Sequence, residues 1–239
     1  TDHRLGWKCE SLREPAAARF YSERIDAGTG HVIDRCARLA AALGVTLPVP
    51  RQFPFHLPAS AAVRADKELR ALDGRPFILI NPGAGWPTKR WPAERYAQVG
   101  RLVRERLARE VLVTYGPREE HLVERMRRED NSIRPVRLNL TELSALAGRA
   151  DCFVSGDTGP MHIASASGAP VVALFGPTDP VRNGPFHSDD IALHRDLPCS
   201  NSYRRQCPEA AHRCMDFSVD EVFAAVARRL QIAEAARAQ

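Results

Sequence analysis

The sequence predicts an α/β protein built on a parallel sheet with helices on both faces. Three observations carry the prediction. From residue 77 onward short apolar runs alternate with amphipathic helical stretches, joined by short connections. Residues 151–180, DCFVSGDTGPMHIASASGAPVVALFGPTDP, read as strand, tight turn, helix, strand and loop. The 239 residues are 44% apolar and 26% charged, the composition of a globular chain with a substantial core.

The elements follow in order. Residues 31–43 read as an amphipathic helix ending at Gly44. Residues 47–58 carry Pro48, Pro50, Pro54 and Pro58 and predict an extended linker. Residues 59–72 read as a helix stopped by Asp73-Gly74. The first 50 residues cannot build a strand–helix–strand half of their own, and they read as the last pieces of a preceding domain. The chain starts at Thr-Asp-His rather than Met and is expected to begin mid-protein. Strands are expected at 77–80, 111–115, 135–138, 152–154 and 171–175. Helices are expected at 92–107, 118–128, 141–147 (capped by Thr141) and 161–167. Residues 177–198 read as loop-rich, with no strand expected there. A closing helix over 218–232 opens with Ser218 as N-cap and Glu221 three residues on, a capping box. The domain boundary is placed at 58: residues 1–58 are a remnant plus linker, and 59–239 the sheet domain.

The net charge of +5 fits an anionic partner, and an Arg-rich composition from a GC-rich genome explains it equally well. Acids interrupt the basic residues everywhere and no aromatic-studded basic stripe exists, which argues against nucleic acid. No apolar run approaches the length of a membrane span. Of six cysteines, Cys9, Cys36 and Cys152 lie in apolar or helical segments and read as inert thiols. Cys199, Cys207 and Cys214 cluster with His212 in a polar stretch, without the compact CxxC pairs of a zinc site. A loop with reduced thiols is the plainer reading, and no metal is expected.

In an open parallel sheet, ligands bind beyond the carboxyl ends of the strands. Four Gly-bearing loops fall on that edge: 81–92, 116–120, 156–161 and 176–180. The turn at 156–161 feeds a helix, whose start offers backbone N–H groups and a positive dipole end, suited to phosphate. Asp157 or Thr158 can cap that helix, and Gly156 and Gly159 allow close approach. An ordinary capped turn explains the same residues. Lys89, one of three lysines, stands just before a helix and can neutralise a leaving phosphate, or it is a solvated surface lysine. Thr88 and Arg90 assist it or face water. Trp86 or Trp91 can stack on a base, with core packing favoured for Trp91. Glu119 or Glu120 can accept hydrogen bonds from ribose, or serve the helix dipole alone. His162 touches phosphate or sugar, or packs on its loop. Asp179 binds sugar hydroxyls or closes a turn with Pro180. No catalytic Ser/His/Asp set, carboxylate pair or GxxxxGK[ST] motif is present.

Together the stretches NPGAGWPTKRWPAERYAQV, LVTYGPREE, LTELSALAGRADCFVSGDTGPMHIASASGAPVVALFGPTDPVRNGP and CPEAAHRCMDFSVDEV resemble the family 9 glycosyltransferases, the ADP-heptose:lipopolysaccharide heptosyltransferases. The likeness runs in order through residues 77–225, and a weaker one through 4–44 looks like the tail of that family's first domain. The resemblance implies a GT-B enzyme of two Rossmann-like domains, of which this chain holds the second. It implies inverting transfer of heptose from ADP-heptose to a Kdo or heptose of the lipid A-linked inner core, without metal or other cofactor. By the same likeness Thr88 and Lys89 contact the diphosphate and Glu119 the ribose. Asp157, Thr158, Gly159, Pro160, Met161 and His162 line the phosphate and heptose site. A cytoplasmic location is implied, with peripheral contact at the inner membrane.

Two departures matter. The family's first strand, with the Gly-Asp turn carrying the proposed general base, has no counterpart here, so no general base is assigned. The chain is expected to bind donor more readily than to turn it over. Many relatives carry four cysteines in the late loop, where this sequence has Ser202 among Cys199, Cys207 and Cys214. Two other readings compete: a different GT-B sugar-nucleotide enzyme such as an epimerase, which needs carboxylates facing the sugar from both domains, and a non-catalytic sugar-nucleotide-binding module.

Overall fold

A computed structural model describes residues 2–49, 51–207 and 213–238. The chain falls into two compact units: Thr1–Phe53 with Val181–Asn183, and Pro54–Pro180 with Gly184–Gln239.

In the first unit β1 (Leu5–Trp7) and β2 (Glu23–Ile25) pair in parallel, with 3-10 turns between them. Strands of three residues are too short to show a period of two, so the sequence gives no sign of them. Helix α1 (Val32–Ala42) follows, with the His31 ring accepting from the Ile33 N–H. Gly44, at φ 80°, takes the left-handed conformation that ends it. Cys9 and Cys36 are exposed in this unit, unlike the fully buried Cys152 of the other, whose thiol burial pushes up to about 12.

The second unit opens with α2 (Ala59–Arg70) and then alternates: β3 (Phe77–Asn81), α3 (Ala93–Leu107), β4 (Glu110–Tyr115), α4 (Glu120–Glu129), β5 (Arg134–Arg137), α5 (Leu140–Ala147), β6 (Cys152–Gly156), α6 (Gly159–Ala166), β7 (Val171–Phe175), the short turn α7 (Pro180–Asn183, of which Val181–Asn183 group with the first unit), β8 (Ile191–His194) and α8 (Val219–Arg237). All six strands are parallel, in the order β5-β4-β3-β6-β7-β8. The order reverses between β3 and β6, which makes their carboxyl ends the switch point of the sheet.

Side chains alternate across the strands and divide the core in two. Ile78 and Ile80 face α3, α4 and α8, and Phe77 and Leu79 face α2, α5 and α6. The sheet is thus covered on both faces, as the continuous apolar strands predict.

Two features differ from expectation. The loop-rich stretch 177–198 also holds a strand: Ile191–His194 forms edge strand β8, held by Asp190. That carboxylate accepts from the Val171 N–H at 2.8 Å and pairs with the Arg229 guanidinium at 3.0 Å. A half-exposed four-residue edge strand lacks the apolar run that marks its neighbours. The cap of α5 is Asn139, not Thr141. The Asn139 side-chain Oδ1 accepts from the Glu142 N–H, and the Glu142 carboxylate accepts in turn from the Asn139 N–H, both at 2.9 Å. Among the described residues no helix is long and apolar enough to cross a membrane.

Candidate functional site

Loops at the carboxyl ends of β3, β4 and β6 enclose an open cavity of about 390 Å³. Asn81, Gly83–Trp86 and Lys89 line it from the first loop, Gly116 and Glu119 from the second, and Asp157–Pro160 from the third. The fourth loop, 176–180, does not line it, so neither does Asp179.

The first loop is built to present Lys89. Asn81, buried at the end of β3, donates to the Thr114 carbonyl at 3.1 Å and ties this loop to β4. Pro87 starts a single 3-10 turn that ends at Lys89. The Lys89 carbonyl packs on Gly156, where an added Cβ would sit 2.9 Å from the oxygen. The loop therefore rests directly on the end of β6. The Lys89 ammonium reaches the Asp157 carboxylate at 2.6 Å and lies 4.3 Å from the centre of the Trp86 ring.

Asp157 is the electrostatic centre of the site, with its side chain 6% exposed. One oxygen takes Lys89 and the other lies 3.7 Å from His162 Nε2. The Thr178 hydroxyl backs the same carboxylate without a hydrogen bond of ordinary length and angle. Burial alone would raise this carboxyl's pKa; His162, Lys89 and Thr178 together hold it below the usual carboxylate range.

At the start of α6 the cap is Thr158, whose hydroxyl accepts from the Met161 N–H at 3.3 Å. Pro160 has no N–H, so of the first three helical residues Gly159 alone has an amide to offer a ligand. The Met161 side chain is fully buried in the core below and does not reach the cavity. His162 stands on the rim, its side chain 43% exposed.

The structure separates Thr88 from Lys89. Thr88 is buried and its hydroxyl donates to the Arg204 carbonyl at 2.9 Å, behind the cavity wall. There it borders a second space of about 30 Å³, shared with Cys199, Ser202, Cys207 and Cys214. The cysteines thus converge, yet among the described residues no group of three or more His, Cys, Asp or Glu is placed to hold a metal. His212 lies outside the described residues.

Arg90 turns inward to the Ala84 carbonyl at 3.0 Å and braces the loop. Trp91 is core: 2% exposed, it donates from its indole N–H to the Phe217 carbonyl at 3.1 Å. Trp86 does line the cavity, with Lys89 and the Arg205 guanidinium over its ring at 4.3 and 5.2 Å. Of the two neighbouring acids, Glu119 faces the cavity, while Glu120 pairs on the surface with Arg137 at 3.9 Å. Thr178 behind Asp157 carries no signal of its own in the sequence. Its place there arises from approach between the loops after β6 and β7.

A family model described as glycosyltransferase family 9 (heptosyltransferase) matches residues 1–212. Lipopolysaccharide heptosyltransferase 1 of Pseudomonas aeruginosa is 29% identical over 205 residues, covering 83% of this chain and 55% of that protein. The chain spans about half the length of the curated relatives it matches. Among solved structures, the family 9 glycosyl transferase of Veillonella parvula superposes with a TM-score of 0.76 at 24% identity, over 95% of this chain and 67% of that one. The ADP-heptose lps heptosyltransferase II of E. coli superposes with a TM-score of 0.71 at 20% identity, over 97% and 71%. These two likenesses speak to the fold alone.

Proposed function

Because the chain belongs to glycosyltransferase family 9, whose model matches residues 1–212, we propose that its cavity is the sugar-nucleotide site of a heptosyltransferase. The observation that carries this reading is the meeting of the Lys89 ammonium with the start of α6, at the switch point of a parallel sheet. The donor we assign is ADP-heptose, in keeping with the name of the E. coli enzyme. The acceptor we assign is a Kdo or heptose of the lipopolysaccharide inner core, in keeping with the named relatives. Residues 59–239 form the donor domain; residues 1–58 hold a linker and part of an acceptor-side domain. Contact with the inner membrane is peripheral, through the acceptor lipid.

The proposed chemistry is a single inverting displacement. As the bond to the sugar breaks, negative charge grows on the departing diphosphate. Lys89 and the Gly159 amide, at the positive end of α6, stand close to that charge and need little reorganisation to meet it. Asp157 and Trp86 hold the ammonium in place before the donor arrives. The Asp157 oxygen on the His162 side accepts from sugar hydroxyls, and His162, Thr158 and Pro160 line the phosphate and sugar. Glu119 accepts from the ribose. Thr88 and Met161 support the site from behind, through the Arg204 carbonyl and the core. The acceptor hydroxyl needs a base to take its proton, and we assign none in this chain.

A donor screen tests the reading. Calorimetry is expected to find binding of ADP-heptose and ADP, and far weaker binding of UDP- and GDP-sugars. Equal binding of all, or of none, overturns it.

A further inference from the structure

Glu119 occupies the N-cap position of α4, yet its side chain makes no cap there. A carboxylate at a helix start ordinarily gains from the unpaired amides and the positive dipole end. This one instead turns back on its own loop, where Oε2 accepts from the Gly116 N–H at 2.7 Å. The second wall of its seat is Gly83, in the loop after a different strand. A Cβ added at Gly83 would lie 2.2 Å from Oε1 and 2.4 Å from the carboxyl carbon and Oε2. A Cβ added at Gly116 would lie 3.2 Å from Oε2. The carboxylate therefore rests against bare backbone, in a slot between the loops after β3 and β4, with the cavity in front of it.

We infer that Gly83 is a positioning residue: its missing side chain makes the slot that holds the Glu119 carboxylate at the cavity, and so sets the preference of the site for a nucleotide with intact ribose hydroxyls. The inference rests on the donor-site reading above. One charge-assisted bond from Gly116 fixes the carboxylate, and the other oxygen keeps its lone pairs for ligand O–H groups. A group fixed before binding costs less to order when the ligand arrives. Gly83 does not lie in the left-handed region, so alanine strains no backbone there. The atoms its methyl meets are the tip of a flexible side chain. The predicted result of Gly83→Ala is a folded protein whose Glu119 has swung out of the slot.

The experiment is calorimetry on the full chain with ADP, 2′-deoxy-ADP and 3′-deoxy-ADP, for the unmutated protein, G83A, E119A and the double variant. The unmutated protein is expected to favour ADP over at least one deoxynucleotide by about tenfold, the scale of one well-placed hydrogen bond to a charged group. In G83A that ratio falls towards one, with the thermal midpoint unchanged. The double variant matches E119A, because the two changes act on one contact. An unmutated protein that binds ADP, with a G83A variant that keeps the ratio, overturns the inference alone. So does a G83A loss that persists undiminished in the E119A background, since the methyl then acts on the backbone. Absence of ADP binding by the unmutated protein overturns the donor-site reading, and the inference with it.

Discussion

Lys89 and Asp157, 68 positions apart, meet in an ion pair of 2.6 Å across the point where the strand order reverses. The pair is largely enclosed, at 15% and 6% side-chain exposure, and it borders the cavity on both sides. A cation kept this close to a carboxylate is held in one place and only partly neutralised. That is the state in which it can turn to a diphosphate at little reorganisation cost.

Asp157 links the site to stability. Its carboxyl titrates below its ordinary value, so the folded state favours the charged form. The contribution is complete above the unfolded carboxylate value of about 3.9 and is lost as pH falls through the lower folded value. Asp157→Asn is therefore expected to cost about 2 kcal/mol, the mouth of the cavity placing it below fully enclosed pairs. That cost should persist throughout about pH 5 to 8 and shrink in stronger acid, as the Asp157 carboxylate itself is protonated. Denaturant unfolding across pH measures it; a cost that does not shrink as pH falls below the ordinary carboxylate range contradicts the assignment.

Gly156 seats the lysine loop. The Cβ of Gly156→Ala would lie 2.9 Å from the Lys89 carbonyl oxygen, a backbone atom with little freedom to turn aside. The expected cost is about 1–2 kcal/mol of stability from overpacking. ADP affinity should fall several-fold as the loop and its ammonium lift away. Calorimetry paired with unfolding checks both effects, and unchanged ADP affinity in a destabilised variant would separate the loop from the ligand.

Trp91 is the packing anchor beneath the loop. It is 2% exposed, meets Tyr96 edge to face at 4.8 Å, and donates to the Phe217 carbonyl. Trp91→Ala should cost about 3–5 kcal/mol. Trp91→Phe should cost about 1 kcal/mol, because the Phe217 carbonyl keeps its bond from Arg95 at 2.8 Å. Thermal denaturation distinguishes the two.

The cap of α5 gives a local check. Asn139→Ala should cost about 1 kcal/mol by removing the acceptor of the capping box. Thr141→Ala, which removes only a donor to that same oxygen, should cost less. Equal costs in denaturant unfolding would contradict the geometry.

Most of the sheet domain was legible because its strands are short, unbroken apolar runs bounded by Gly, Pro or Asp, as at Phe77–Asn81 and Val171–Phe175. Lys89 and Asp157 were legible as separate features of two loops; their contact follows only from the crossover that places β6 beside β3. The edge strand Ile191–His194 and the two short strands of the first unit were not legible, since pairing defines them rather than composition. Thr88 and Met161 show the limit of reading a motif as a string. Each neighbours a cavity residue in sequence, and a single turn of backbone sends its side chain elsewhere.

The most direct test of the account compares ADP with adenosine, by calorimetry, on the unmutated chain and on Lys89→Ala. Lys89→Ala is expected to lose about tenfold or more in affinity for ADP while its affinity for adenosine is unchanged. Equal affinity of both proteins for ADP would contradict it.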